Sequence, residues 1–297
     1  MVKRVFLFML TNLMVIATIS LVLNILGVHH YLQASGINVE ALLLFCLIWG
    51  MGGSFISLFL SKWMAKMAMG VEVIDPRRAV GAEAELVDMV YRLARQAGLS
   101  KMPEVGIYDS PEVNAFATGP SRNNSLVAVS TGLLHHMNRD EVEGVLGHEV
   151  AHIANGDMVT MTLLQGIINA FVMFLSRVLA YVISMATRSD EEESGFPYVL
   201  HGILVFVFDI LFTILGSLVV AWFSRYREYR ADAGGARLAG KGKMIAALRR
   251  LKDYVEQVDN HAPSFASMKI SNKEGILALF STHPPLEKRI ERLMQSA

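Results

Sequence analysis

Two histidines and a glutamate in Gly147-His148-Glu149-Val150-Ala151-His152-Ile153-Ala154-Asn155-Gly156 have the types and spacing that metal-assisted hydrolysis needs. On an α-helix, residues four apart share a flank one turn above each other, so His148 and His152 can grip one ion. Glu149 projects beside them, near enough to touch a water bound to that ion. Two imidazoles on zinc, with a carboxylate to take the proton from its water, is the chemistry of a zinc peptidase.

A five-letter pattern with two wildcards arises by accident, so the surroundings have to support it. Asn138-Arg139-Asp140-Glu141 reads as a capping box, with Asn138 as N-cap and Glu141 at the third helical position. Val142, Leu146, Val150 and Ile153 follow at helical spacing, and Gly156 supplies a stop. The motif therefore belongs to a delimited amphipathic helix, with both histidines and Glu149 flanking its apolar stripe.

The elements that must position this helix are largely membrane-embedded. Of 297 residues 53% are hydrophobic and 18% charged, with a mean hydropathy of +0.40, so part of the chain belongs in lipid. The net charge is zero, which gives no argument for nucleic acid, and none is expected as a partner. Cys46 is the only cysteine, which excludes a disulfide framework and a thiolate metal site.

Four apolar stretches have the roughly twenty residues a bilayer-spanning helix requires. They run from Val5 to Val28, Ala41 to Leu60, Val159 to about Thr187, and about Phe196 to Ser224. Lys3-Arg4 before the first resembles a signal peptide. That run is too long for an h-region and lacks a small-x-small cleavage site, so an uncleaved anchor is expected. Gly50, Gly53 and Ser57 in the second would let another helix approach closely. Arg177 in the third and Asp209 in the fourth either pair at similar depth, or Arg177 snorkels to the outer interface.

Lys and Arg in the connections set the orientation. Lys3, Arg4, Lys62, Lys66, Arg77, Arg78, Arg225, Arg227 and Arg230 flank one set of ends. The connection from Gly27 to Glu40 has neither residue, and that between the last two spans has only Arg188 beside Asp190-Glu191-Glu192-Glu193. Both termini and everything from Lys62 to Met158 should face the cytosol. The expected organisation is a transmembrane hairpin over 1–62, a cytosolic domain over 63–158, a second hairpin over 159–224 and further cytosolic chain over 225–297.

Within the first cytosolic part, Ala79 to Gly98 reads as an amphipathic helix and Glu104–Tyr108 as a strand. Asn114–Gly119 and Ser125–Ser130 read as a hairpin around Pro120-Ser-Arg-Asn-Asn124. An exposed edge at Asn114, Ala115 and Phe116 beside the histidine helix would receive an extended peptide as an added strand. Alternatively, Phe116 and its neighbours are sheet core. From Arg225 onward helices are expected over about Arg225–Ala239, Lys243–Gln257 and from Leu286, with a weaker one over Ser271–Phe280.

A peptidase zinc takes a third protein ligand and keeps a place for water. Glu228, in Arg227-Glu-Tyr-Arg-Ala-Asp232, is the leading candidate. His152 precedes the third span and Glu228 follows the fourth, so both lie about 10 Å or less from the cytosolic surface. A hairpin of those spans would bring Glu228 towards the two histidines. Asp232, one turn on, could accept the free ring N–H of a ligand histidine.

With Gly147–His152, Arg227-Glu-Tyr-Arg-Ala-Asp232 and Ser281-Thr-His-Pro-Pro285, the chain closely resembles the HtpX family of bacterial inner-membrane zinc endopeptidases, relatives of the prenyl-protein endoproteases. The likeness extends over essentially the whole chain, including Asn114–Gly119, Val127–Gly132 and Asn155–Met161. It implies a mainly α, α+β fold: four transmembrane helices in two hairpins and a cytosolic zincin-like metalloprotease domain with a small sheet. It also implies one zinc held by His148, His152 and Glu228, with Glu149 as the catalytic carboxylate. The expected partners are the lipid bilayer and protein substrates, chiefly damaged or misassembled membrane proteins, cleaved in the inner (plasma) membrane's cytosolic shadow. His283, beside the rigid Pro284-Pro285 turn, either donates to the oxyanion or packs at the start of the last helix.

Rival readings fit less well. An intramembrane protease would carry its motif inside a span, whereas Asn138–Glu143 immediately precedes this one and the third span follows it. A zinc transporter would need its His and acidic residues within the spans. A dead scaffold would lack Glu149. Four spans are too few for the enclosed chamber of the prenyl-protein endoproteases.

Overall fold

The computed structural model describes residues 38–187, 196–261 and 279–296. The first expected span and the short helix expected over Ser271–Phe280 fall largely or wholly outside them. The chain divides into two compact units, one of Met1–Ile56 with Thr162–Ser217 and one of Ser57–Met161 with Leu218–Ala297.

The first unit is built from the apolar parts of three long helices: α1 (Val39–Met69), α5 (Asp157–Ala186) and α6 (Phe196–Ala239). Among the described residues these three are long and apolar enough to cross a membrane; the first of the four spans expected from the sequence lies outside them. Gly50 lets α1 and α5 touch: a Cβ there would lie 2.5 Å from the Ala170 nitrogen, while Gly53 faces open space. Cys46 is buried beside Phe174 and Val178. Arg177 donates to the Met173 carbonyl of its own helix at 2.9 Å. Among the described residues it forms no ion pair with Asp209.

The second unit holds a four-stranded sheet of β1 (Glu72–Val73), β2 (Glu104–Tyr108), β3 (Ala115–Ser121) and β4 (Asn124–Ser130) in the order β1-β2-β4-β3. β2 runs parallel to β4, and the other two pairings are antiparallel. β3 and β4 form the expected hairpin, tightened to a turn at Arg122-Asn123 with a register shift between Thr118 and Ser121. β1 has no sequence signature because two residues cannot show a period. The alternating side chains of β4 are buried on both faces, as in sheets covered on two sides. Val127 and Val129 join the core of α2 (Ala82–Gln96) and α4 (Arg139–Asn155), while Leu126 and Ala128 meet Ala65 and Val71.

Helix α4 begins where the sequence places it. Asn138 Oδ1 accepts from the Glu141 nitrogen at 3.0 Å, and Glu141 Oε2 accepts from the Asn138 nitrogen at 2.8 Å. It ends at Gly156, whose φ of +65° suits glycine, and α5 starts at the next residue. No break divides α6 at Ser224, where the apolar run stops: 44 residues form one helix. Short α3 (Thr131–His136), α7 (Lys241–His261) and α8 (Leu286–Gln295) complete the unit.

Candidate metal centre

His148 and His152 project from α4 with their rings at 89° and their Nε2 atoms 3.0 Å apart. Glu228, from α6, closes a triangle: its Oε2 lies 3.4 Å from His148 Nε2 and its Oε1 3.3 Å from His152 Nε2. All three side chains are buried. Donors about 2.0–2.1 Å from a tetrahedral zinc lie about 3.3 Å from one another. The Nε2–Nε2 and Nε2–carboxylate separations are close to the edge lengths of such a site, each Glu228 oxygen facing one ring, and the set of two nitrogens and one carboxylate suits a metal of this kind.

Each ring is fixed from behind by a carboxylate. Asp232 Oδ1 lies 3.0 Å from His148 Nδ1, and Asp157 Oδ2 lies 2.7 Å from His152 Nδ1. A proton on each Nδ1 leaves both Nε2 lone pairs facing the triangle. Burial by itself would raise the Glu228 carboxyl, but hydrogen bonds from His148, His152 and His283 hold it well below the usual carboxylate range. Burial would likewise lower His152, yet Asp157 and Glu228 raise it to about 9. Surroundings that favour a proton on Nε2 also favour a divalent cation there.

Close helix contact brings Glu228 into reach. A Cβ on Gly235 would lie 2.9 Å from the His148 nitrogen, and one on Gly234 would lie 2.6 Å from the Ala151 Cβ. Glycine at these positions lets α6 lie directly against α4.

Glu149 is half-buried, and among the described residues no hydrogen bond or ion pair engages its carboxylate. His283 Nδ1 lies 3.0 Å from Glu228 Oε2, so this ring touches the ligand set and has only Nε2 left for another partner. Its segment is held by Arg225, whose Nη1 donates to the carbonyls of Leu279 and Ser281 at 2.9 and 2.7 Å. Asn114 precedes β3, and its backbone exchanges bonds with Ser130. Among the described residues β3 has one unpaired edge, and it packs against α4. Phe116 lies on the edge strand, and its ring is 5.7 Å from that of the buried Tyr108.

Residues 81–297 match Peptidase family M48. The chain belongs to that family. Over 298 residues it is 57% identical to a protease HtpX homolog of Bacillus licheniformis, covering 98% of each chain. A protease HtpX homolog of Bacillus subtilis is 55% identical over 99% of each, and a protease HtpX of a Shewanella species 54% identical over 98% of this chain. Among solved structures, Ste24p of S. mikatae matches with a TM-score of 0.58 at 18% identity, covering 96% of this chain and 66% of that one. At that identity the likeness speaks for the fold. This M48 peptidase is therefore a membrane metalloprotease of HtpX type, and the cluster of His148, His152 and Glu228 could hold a metal ion.

Two site residues escape a reading of the sequence. Asp157 lies just past the helix stop, where a first-turn acid needs no further explanation. Arg289 sits in a charged last helix, yet it shares a stripe with Leu286 and Leu293, and it is buried against Asp232. A charge on an apolar stripe is the signal that could have found it.

Proposed function

We propose that this M48 peptidase is a zinc endopeptidase of the bacterial inner membrane that cleaves misfolded or damaged membrane proteins, and some cytosolic ones, at the cytosolic face. The observation that carries this reading is the triangle of His148 Nε2, His152 Nε2 and a Glu228 carboxylate, with a carboxylate behind each ring. His148, His152 and Glu228 would hold one zinc ion. Bound there, zinc supplies Lewis-acid polarisation of a peptide carbonyl and acidification of water.

The chain's own residues do the rest. Glu149 takes a proton from the attacking water and passes it to the departing amine, a task its unbonded carboxylate suits. Asp232 and Asp157 keep the imidazoles in the ligating tautomer. The outer edge of β3 along Ala115 and Phe116, which Asn114 leads into and anchors to Ser130, aligns an extended peptide by main-chain hydrogen bonds. His283, through Nε2, assists at the oxyanion while Nδ1 stays on Glu228. The distribution of Lys and Arg supports cytosolic termini and a cytosolic site. The closeness to proteases named HtpX supports membrane protein quality control as the setting.

The test is incubation of detergent-purified protein with an unfolded soluble protein and with a membrane protein bearing cytosolic loops, each with and without chelator. Chelator-sensitive cleavage of both is expected from the wild type. Cleavage that survives complete metal removal would contradict the reading.

A further inference from the structure

We propose that Arg289 is a positioning residue of the metal centre, acting through Asp232, and that the C-terminal helix α8 is thereby a working part of that centre. The proposal rests on His148, His152 and Glu228 being the metal ligands.

Arg289 meets Asp232 as a two-pronged fork: Nε donates to Oδ2 at 2.8 Å and Nη2 to Oδ1 at 2.6 Å. The same Oδ1 lies 3.0 Å from His148 Nδ1. Asp232 is thus held on one side by the guanidinium and presents itself on the other to the ligand ring. The guanidinium also reaches 3.7 Å from Glu228 Oε2, spanning both carboxylates of the Glu228–Asp232 turn.

The arrangement also decides between two tautomers of His148. Arg289 Nη2 lies 3.4 Å from Nδ1 and can only donate, which would require a bare Nδ1 and a proton on Nε2, where the metal belongs. Asp232 is nearer and can only accept while ionised, which places the proton on Nδ1 and frees Nε2. By engaging both oxygens, the Arg289 fork keeps Asp232 turned to make that choice. Rotation of Asp232 away would leave Nδ1 to Arg289 and weaken the ligand.

Simple packing does not account for a guanidinium here. Among the described residues Arg289 is the only buried Lys or Arg. An apolar side chain would fill this place between Leu286 and Leu293 without the desolvation that a buried cation entails. The helix is fastened independently of Arg289: Leu293 packs with Met244 and Leu248, Arg292 lies 4.5 Å above the Tyr229 ring, and Lys241 bonds the carbonyls of Met294 and Ser296 at the helix end. Arg289 is therefore delivered by a helix whose other contacts carry its stability.

The experiment measures zinc affinity of the detergent-solubilised full chain by chelator competition, with Co2+ visible absorption reporting coordination geometry. Arg289→Met and Asp232→Asn should each weaken zinc binding about 10- to 100-fold, and the double variant should be no weaker than the weaker single one. Arg289→Lys keeps the charge without the two-point fork and should show the same loss while folded, so it decides the matter if Arg289→Met does not fold. Arg292→Ala should lower Tm and leave zinc affinity and the Co2+ spectrum unchanged. Wild-type affinity and spectrum in Arg289→Lys, or losses at 289 and 232 that multiply, would overturn the proposal. A wild-type chain that binds no zinc would instead remove the ligand assignment beneath it.

Discussion

Glu149 sits one position from His148 yet outside the buried triangle, and in the proposed mechanism that placement separates proton transfer from metal binding. Glu149→Gln should lower turnover about 10²- to 10⁴-fold with metal content unchanged. Substantial remaining turnover, measured against a chelated control, would take Glu149 out of its role. Asp157 makes a 2.7 Å bond to His152 Nδ1. Asp157→Asn should weaken zinc affinity about 10- to 100-fold, read by the same chelator competition. At this scale the sequence discloses most of the centre. His148, Glu149 and His152 are readable because an i, i+4 spacing and a capping box are local facts. Asp157 is not, because its bond to His152 depends on how the chain turns at Gly156, and Arg289 is not, because its partner Asp232 comes from a segment distant in sequence.

Among elements, the decisive contact is that of α4 with α6. The sequence shows the termini of both helices and the membrane runs beside them, but not that Gly234 and Gly235 allow backbone approach, since a pair of glycines inside a helix has no local signature of contact. Gly235→Val should push α6 away from α4, costing about 1–3 kcal/mol and most of the zinc affinity. Gly242→Ala is the matching control, because a Cβ there meets nothing within 4 Å. Three helices are also joined at Glu143 of α4, which is buried and accepts from Arg92 of α2 and Lys243 of α7, each at 2.9 Å. Burial would raise this carboxyl, but the bonds from Arg92 and Lys243 hold it below the usual range. A carboxyl with a lower pKa folded than unfolded stabilises the fold above its unfolded value, and the gain is lost as pH falls through the folded one. Glu143→Gln should therefore be less stable by about 1–3 kcal/mol near neutral pH. Its gap in Tm from the wild type should shrink as pH falls below about 4.3.

For the whole molecule, hydropathy discloses the membrane class and the charge pattern supports the proposed orientation, whereas the assembly of the sheet depends on pairings distant in sequence. β2 beside β4 leaves β3 at the edge, an order that no hairpin signal specifies. Orientation is testable without activity. In right-side-out vesicles of a Cys46→Ser chain, Glu83→Cys should resist a membrane-impermeant maleimide and Glu193→Cys should react. The reverse pattern would place the site on the other side of the bilayer.

In the proposed reading, two rings of α4 and one carboxylate of α6 hold one zinc ion. Metal analysis of the purified, folded chain, alone and with Glu228→Ala, tests it most directly. One zinc per wild-type chain and almost none in the variant is the predicted result; equal zinc in both would contradict the account.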